Sequence, residues 1–220
     1  MNKKITLLIS NLAGGGAEGV CVNVANGLAE TGWQVNLVIL NANNAVYLDR
    51  LSNKVNLVNL QVKRALHAFV PLRKYLIKES IGQVLVFNYS LVVISIILKK
   101  TIRQDIKIIA RNINTLSQGL AAATGFWQKY IVYNSINALY RKVDHVINQC
   151  HAMENDLLKL YPSLKGKTSV IYNPVNKVIE DTLKRLDLNS IVKEDYILCV
   201  GRLEFQKAFH FAIEAFAAIA

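Results

Sequence analysis

The chain has 220 residues, 52% of them hydrophobic and 19% charged, which fits one large domain or two small ones and excludes an intrinsically disordered chain. Lysine and arginine number 26 against 15 acids, a formal net charge of +11 that points toward anionic partners. Three widely spaced cysteines, Cys21, Cys150 and Cys199, exclude a disulfide framework and suit a reducing compartment.

The first residues, Met1 to Lys4, carry charge, but only about five apolar residues follow, where a secretory core needs about 7–15. No signal peptide is expected. The run Lys4–Ile9 reads as a buried strand. Gly16 to Thr31 carries apolar residues at Ala17, Val20, Cys21, Val24 and Leu28, which is helical spacing, and Gly32 ends that helix. Val35–Leu40 and Val55–Val62 read as the second and third strands. Lys63–Glu79 reads as a basic helix interrupted or kinked at Pro71. The longest uncharged run, Ile81 to Leu98, contains Gly82, Gln83, Asn88, Ser90 and Ser95. It divides into a strand at Val84–Phe87 and a helix from Ser90 to Lys100, rather than one membrane-spanning helix. Further strands are expected at Ile106–Ala110, Asp144–Asn148 and Thr168–Tyr172, with helices at Phe126–Lys142 and Ala152–Tyr161.

Strands alternating with helices predict an α/β fold, a Rossmann-like doubly wound parallel sheet. After Asn173-Pro174-Val175 the chain turns polar and charged, and then Tyr196–Val200 begins a new apolar strand, followed by a helix from about Lys207. The expected organisation is a Rossmann-like domain over 1–175, a linker over 176–195, and the first β–α unit of a second, truncated domain over 196–220. One such unit cannot bury a core by itself.

The segment "NLAGGGAEGV" places three glycines between the first strand and the first helix. Gly14, Gly16 and Gly19 formally satisfy G-x-G-x-x-G, a turn where bare backbone and a helix N-terminus receive a phosphate. A nicotinamide-dependent oxidoreductase or an epimerase would also need an acid at the end of the second strand. That strand ends Leu40-Asn41-Ala42-Asn43-Asn44, and the next acid is Asp49, in a different context, which argues against it. Near the other end, "YILCVGRLEFQK" puts Arg202 just after a strand and Lys207 at a helix start. Arginine grips a phosphate bidentately and lysine acts as a point charge, so the pair suits a diphosphate leaving group without a metal.

The segments "SNLAGGGAEGV", "VDHVINQCHAMENDLLKLY", "VIYNPV" and "GRLEFQKAFHFAIEAFA" occur in the order found in glycosyltransferase family 4, and the resemblance spans nearly the whole chain. It implies the N-terminal domain of a GT-B fold and the start of its C-terminal domain. It also implies a retaining, metal-independent transfer from a nucleotide-diphosphate sugar, with no other cofactor. The acceptor side would be N-terminal and the donor side C-terminal. By the same resemblance Gly14, Gly15 and Gly16 face the donor phosphates, Arg202 and Lys207 hold the diphosphate, and Arg111 in "IARN" is a cleft residue or an ordinary strand-end cation. Asn173 and Pro174 resemble the turn into the interdomain crossing. The sequence departs from the family at Gly19, where arginine is common, at Ala110, where glutamate is common, and at Cys150, a usual serine. It departs also at Ala208, the glycine of "QKG". The family's later glutamate-rich motif would lie beyond Ala220, so little activity is expected of the 220 residues alone. A non-catalytic acceptor- or membrane-binding remnant is the alternative.

His67, His145, His151 and His210 lack metal-ligand spacing, and no metal is expected. Phe126, Trp127, Tyr130, Tyr133 and Tyr140, with Lys129, Arg141 and Lys142, suit either a core-facing helix or a membrane interface. From Lys54 to Lys107 ten basic residues face two acids, Glu79 and Asp105. That stretch is a solvated surface or attracts membrane lipid or a phosphorylated substrate. No arginine-rich helix or RNP-like motif suggests nucleic acid. The expectation is a cytoplasmic protein, peripheral on the inner face of the cell membrane, with a glycan or lipid-linked acceptor as its other partner.

Overall fold

The computed structural model describes residues 3–102, 104–117, 133–175, 177–187, 194–201, 203 and 207–219. The chain divides into two compact units, Met1–Asn176 and Lys177–Ala220.

The first unit is built on one parallel sheet of seven strands. They are β1 (Lys4–Ile9), β2 (Gln34–Ile39), β3 (Val55–Asn59), β4 (Gln83–Val86), β5 (Lys107–Arg111), β6 (His145–Asn148) and β7 (Thr168–Val170). Their spatial order is β3-β2-β1-β4-β5-β6-β7. This is a Rossmann-like α/β fold, and the order reverses between β1 and β4, the switch point where such sheets open a crevice at their carboxyl ends. Side chains alternate between the two faces. Ile5, Leu7, Ile9, Leu37 and Phe87 pack under α1 (Gly16–Glu30). Leu8, Val38, Val84, Val86 and Ile108 pack in the other layer, with α2 (Phe69–Lys78) and α3 (Tyr89–Thr101). Both faces are covered, so the strands read as continuous apolar runs.

The helices differ from expectation in instructive details. α1 buries Cys21, Val22, Ala25 and Ala29, while Val20, Val24 and Leu28 are only partly covered. Small alanines on the sheet side let the helix approach closely, which rotates the buried face one position from the pattern of larger residues. Gly32 ends it with φ +83°, as a C-terminal glycine should. The basic helix is neither interrupted nor kinked at Pro71. A 3-10 turn at Ala65–Ala68 comes first, and α2 starts at Phe69, so Pro71 falls in the first turn, where an amide has no intrahelical partner to lose. α3 starts at Tyr89 because the Asn88 side chain accepts a hydrogen bond from the Ser90 amide at 2.9 Å. The uncharged run is thus β4 and α3, and no described helix is long and apolar enough to cross a membrane.

Of the helix expected over Phe126–Lys142, the described part is α4 (Tyr133–Leu139) with a 3-10 turn, Tyr140–Lys142. Phe126, Trp127, Lys129 and Tyr130 lie outside the described residues. α5 (His151–Leu160) precedes β7, which is shorter than the expected Thr168–Tyr172. The Ile171 amide still bonds to the Asn148 carbonyl at 2.9 Å, and the chain then leaves the sheet toward Asn173-Pro174.

The second unit holds α6 (Lys177–Arg185) and α7 (Phe209–Ala217). The strand expected at Tyr196–Val200 does not form: the segment has no regular structure, and Tyr196, Ile197, Leu198 and Val200 are exposed. A strand needs a neighbour to satisfy its amides and carbonyls, and none stands beside it among the described residues of this unit. The helix begins at Phe209, two residues later than expected.

Candidate functional site

The glycine loop follows β1 at the carboxyl edge of the sheet, beside the switch point. Gly14 has φ +100°, a conformation that L side chains rarely adopt, so the turn itself requires glycine there. Gly15 is the N-cap of α1, in extended conformation, and no side chain caps the helix. Gly16 is the first helical residue, and a Cβ built on it meets nothing within 4 Å. The fold therefore does not exclude a side chain at Gly16. The space beside Gly16 is open, at a helix end whose first amides no side chain caps. Glu18 bends back over this end: a Cβ on Gly15 would lie 2.3 Å from its carboxylate oxygen Oε2. The chain's own anion thus sits where the helix dipole favours negative charge. Gly19, the departure from the family pattern, leaves room for Tyr47, whose ring would be 3.4 Å from a Cβ there, and Arg50 stacks on that ring at 4.9 Å.

Arg111 ends β5 at the same carboxyl edge and is 5% exposed. Its Nη2 donates to the Ile171 carbonyl at 3.2 Å and to Asn173 Oδ1 at 2.9 Å. Its Nε is buried with no hydrogen-bond partner, and no carboxylate pairs with it among the described residues. Burial pushes its guanidinium below the usual value. A buried cation with only neutral acceptors has unspent capacity for an anion.

Behind Arg111 runs a polar network that sequence reasoning missed. Asn173 Nδ2 donates to Gln149 Oε1 at 3.1 Å, and Gln149 Nε2 donates to the Asn112 carbonyl at 2.9 Å. Asn112 Nδ2 donates to Asn148 Oδ1 at 2.7 Å, and Tyr140 OH donates to Asn112 Oδ1. The only signal in sequence was polar residues at the ends of β5 and β6, in "ARN" and "INQ", where an α/β sheet gathers its ligands. Asn173, read as a turn residue, is also the anchor of Arg111. Tyr140, expected in a core-facing or membrane helix, is fully buried.

Burial raises the phenols of Tyr140, Tyr89 and Tyr75 above the ordinary tyrosine value. Unfolded tyrosines ionise near pH 10. Above that pH the folded state holds more protons than the unfolded one, so stability is full below about pH 10 and falls as pH rises. We expect the melting temperature to drop steeply above about pH 10, and Tyr140→Phe to weaken that dependence; a flat alkaline profile contradicts it.

The other candidate residues lie elsewhere. Cys150 is the N-cap of α5, but its side chain caps nothing, consistent with a thiol's weak acceptor character. His145 shares a hydrogen bond with Ser169 Oγ at 2.9 Å, and His151 lies 3.7 Å from Glu154. In the second unit Lys207 is exposed, and Arg202 lies outside the described residues. Ala208 has φ +56° and ψ +27°, the left-handed conformation that glycine adopts without strain. Alanine there costs about 1–2 kcal/mol. Ala208→Gly should therefore stabilise the start of α7 by about 1 kcal/mol net of glycine's greater chain entropy. Hydrogen exchange reads this directly, since the Phe211 and Ala212 amides bond to the Ala208 carbonyl. Their protection should rise about fivefold; unchanged protection would mean the turn is not strained.

The sequence profile of Glycosyltransferase Family 4 matches residues 14–177. Sucrose-phosphate synthase from Thermosynechococcus elongatus superposes with a TM-score of 0.74 and 17% identity, over 98% of this chain and 60% of that one. Anabaena HepE in complex with UDP gives a TM-score of 0.57 and 14% identity, over 83% of this chain and 49% of that one. The apo form of the lipopolysaccharide outer core galactosyltransferase WaaB gives 0.57 and 13%, over 79% and 46%. At these identities the likeness is one of fold, and the chain spans roughly half the length of the solved proteins it matches. No curated protein sequence matches the chain significantly.

Proposed function

The chain belongs to Glycosyltransferase Family 4, and we propose that it serves the transfer of a hexose from a nucleotide-diphosphate sugar to a glycan or lipid-linked acceptor. The observation that carries the reading is the open space beside Gly16 at an uncapped helix end, on the sheet edge where Arg111 lies buried with only neutral acceptors among the described residues. Gly14, Gly15 and Gly16 receive phosphate oxygens on bare amides, and Arg111 receives a further negative group of donor or acceptor. Arg202 and Lys207 supply positive charge for the diphosphate. In the proposed reaction the sugar C1–O bond to the diphosphate breaks and a bond from C1 to the acceptor oxygen forms on the same face. The acceptor's proton passes to the departing phosphate. No metal is assigned a role, because the two cations meet the leaving group's charge.

The relatives support these choices. HepE is solved with UDP and with UDP-glucose, and WaaB is described as a galactosyltransferase of the lipopolysaccharide outer core. The proposed place of action is the cytoplasmic face of the cell membrane, where free Cys21, Cys150 and Cys199 stay reduced.

The test is ligand-observed NMR of the 220-residue chain with UDP, UDP-glucose and NADH. We expect saturation transfer to the nucleotide sugar and its diphosphate. Selective retention of the nicotinamide dinucleotide would overturn the reading in favour of an oxidoreductase.

A further inference from the structure

The outward side of α2 is unusual for a helix packed on a sheet. Leu72 and Leu76 face the core. At about 100° per residue, Val70 and Ile77 project within about 20° of each other on the exposed side, about 130° round the helix from the core direction, while Lys74 stands nearest the point opposite the core. The same geometry puts Arg73 on one flank and Lys74 and Lys78 on the other. Exposed helix positions ordinarily carry polar residues, yet Val70 is 58% and Ile77 38% exposed. The preceding 3-10 turn continues the pattern with Leu66, 66% exposed, next to His67, Arg64 and Lys63. From Lys63 to Lys78 there are five lysines and arginines and no acid. Among the described residues none of the five pairs with a carboxylate.

We infer that this face, Leu66, Val70 and Ile77 with their flanking cations, is a docking surface for an anionic lipid bilayer. Apolar side chains at the centre enter the headgroup–acyl boundary, and the cations on both flanks meet lipid phosphates. Nucleic acid matches the charge but offers no apolar phase to Leu66, Val70 and Ile77. The docked end is informative as well. The chain reaches α2 from the carboxyl end of β3, where the Val62 amide bonds to the Leu40 carbonyl at 2.7 Å. Leu66 therefore lies at the same edge of the sheet as the glycine loop and Arg111. Docking there brings that edge to headgroup level and, on the transferase reading above, selects a lipid-linked acceptor.

Flotation of the purified chain tests this with neutral phosphatidylcholine vesicles and with vesicles also containing phosphatidylglycerol. We expect recovery with the anionic vesicles, falling as salt screens the cations. R73A/K74A should lower the partition coefficient about 25-fold, about fivefold per cation. V70S/I77S should abolish the binding that survives high salt. All four side chains point away from the core, so both variants should keep the wild-type melting curve, measured alongside. Equal recovery with neutral and anionic vesicles, variants that float like wild type, or binding to RNA or DNA but to no vesicle would each overturn the inference. Flotation does not depend on sugar transfer, so its failure leaves the transferase reading standing, and a failure to bind nucleotide leaves the docking surface standing.

Discussion

Arg111→Met is expected to leave the protein as stable as before, or more so, while weakening its hold on a nucleotide diphosphate or anionic acceptor by about 10–100-fold. Two physical effects pull in opposite directions. The guanidinium is 5% exposed, pairs with no carboxylate among the described residues, and has a buried Nε with no hydrogen-bond partner among them. Replacing buried ionic groups by apolar ones of similar volume is often neutral or stabilising by about 1–4 kcal/mol. Methionine loses the bonds to the Ile171 carbonyl and Asn173 Oδ1, which offsets part of that gain. Asn173 remains tied to Gln149 through its amide nitrogen, so the crossing segment keeps one anchor. With ligand present the balance reverses, because charge-assisted hydrogen bonds contribute about 1.5–3 kcal/mol each. Arg111→Lys keeps the charge but not the planar fork, and should fall between the two. Thermal melts with and without UDP separate these outcomes. A methionine variant that unfolds while its apo network is intact, or that binds as tightly as wild type, would make Arg111 a purely structural residue.

Gly16→Ala should show the same signature at the other half of the site. The added Cβ meets nothing within 4 Å, and alanine is favoured over glycine within a helix by about 0.5–1 kcal/mol. The melting temperature should rise by about 2–4 °C at most. Affinity for UDP should fall about tenfold or more, because the Cβ stands where a phosphate would approach the amides. Gly14→Ala is the contrasting control. Its φ of +100° makes any side chain there strained, so that variant should lose stability whether or not a ligand binds. A destabilised Gly16→Ala, or one with undiminished UDP affinity, would show that the glycines serve the turn alone.

Both variants probe residues that sequence reasoning singled out, yet for reasons it could not supply. The glycines were legible because a tight turn between an apolar run and an amphipathic one leaves a compositional mark. Which of the three the backbone needs was not legible, since that depends on φ at Gly14 and on the empty space beside Gly16. Arg111 was one strand-end cation among 26 basic residues. Its distinction, burial with no carboxylate paired to it among the described residues, comes with neutral acceptors at Ile171 and Asn173, which lie 60 and 62 positions away. The partners Asn112, Tyr140, Asn148 and Gln149 carried almost no individual signal, because asparagine and glutamine are ordinary loop residues until the sheet brings their amides together.

The alternation of apolar runs with helical periodicity determined the parallel α/β fold by itself, because both faces of a doubly wound sheet must be buried and burial dictates residue type. The same local chemistry determined the helix stop at Gly32 and the division of the uncharged run into β4 and α3. Tertiary structure alone decided whatever depends on a neighbour distant in sequence. It denied Tyr196–Val200 a strand, since no strand stands beside it among the described residues of its unit. It put Pro71 into a first turn, where no hydrogen bond is lost. It also turned Val70 and Ile77 outward among cations, since the sheet covers only one side of α2. Local pattern fixes what a segment can bury, and only packing fixes which side has something to be buried against.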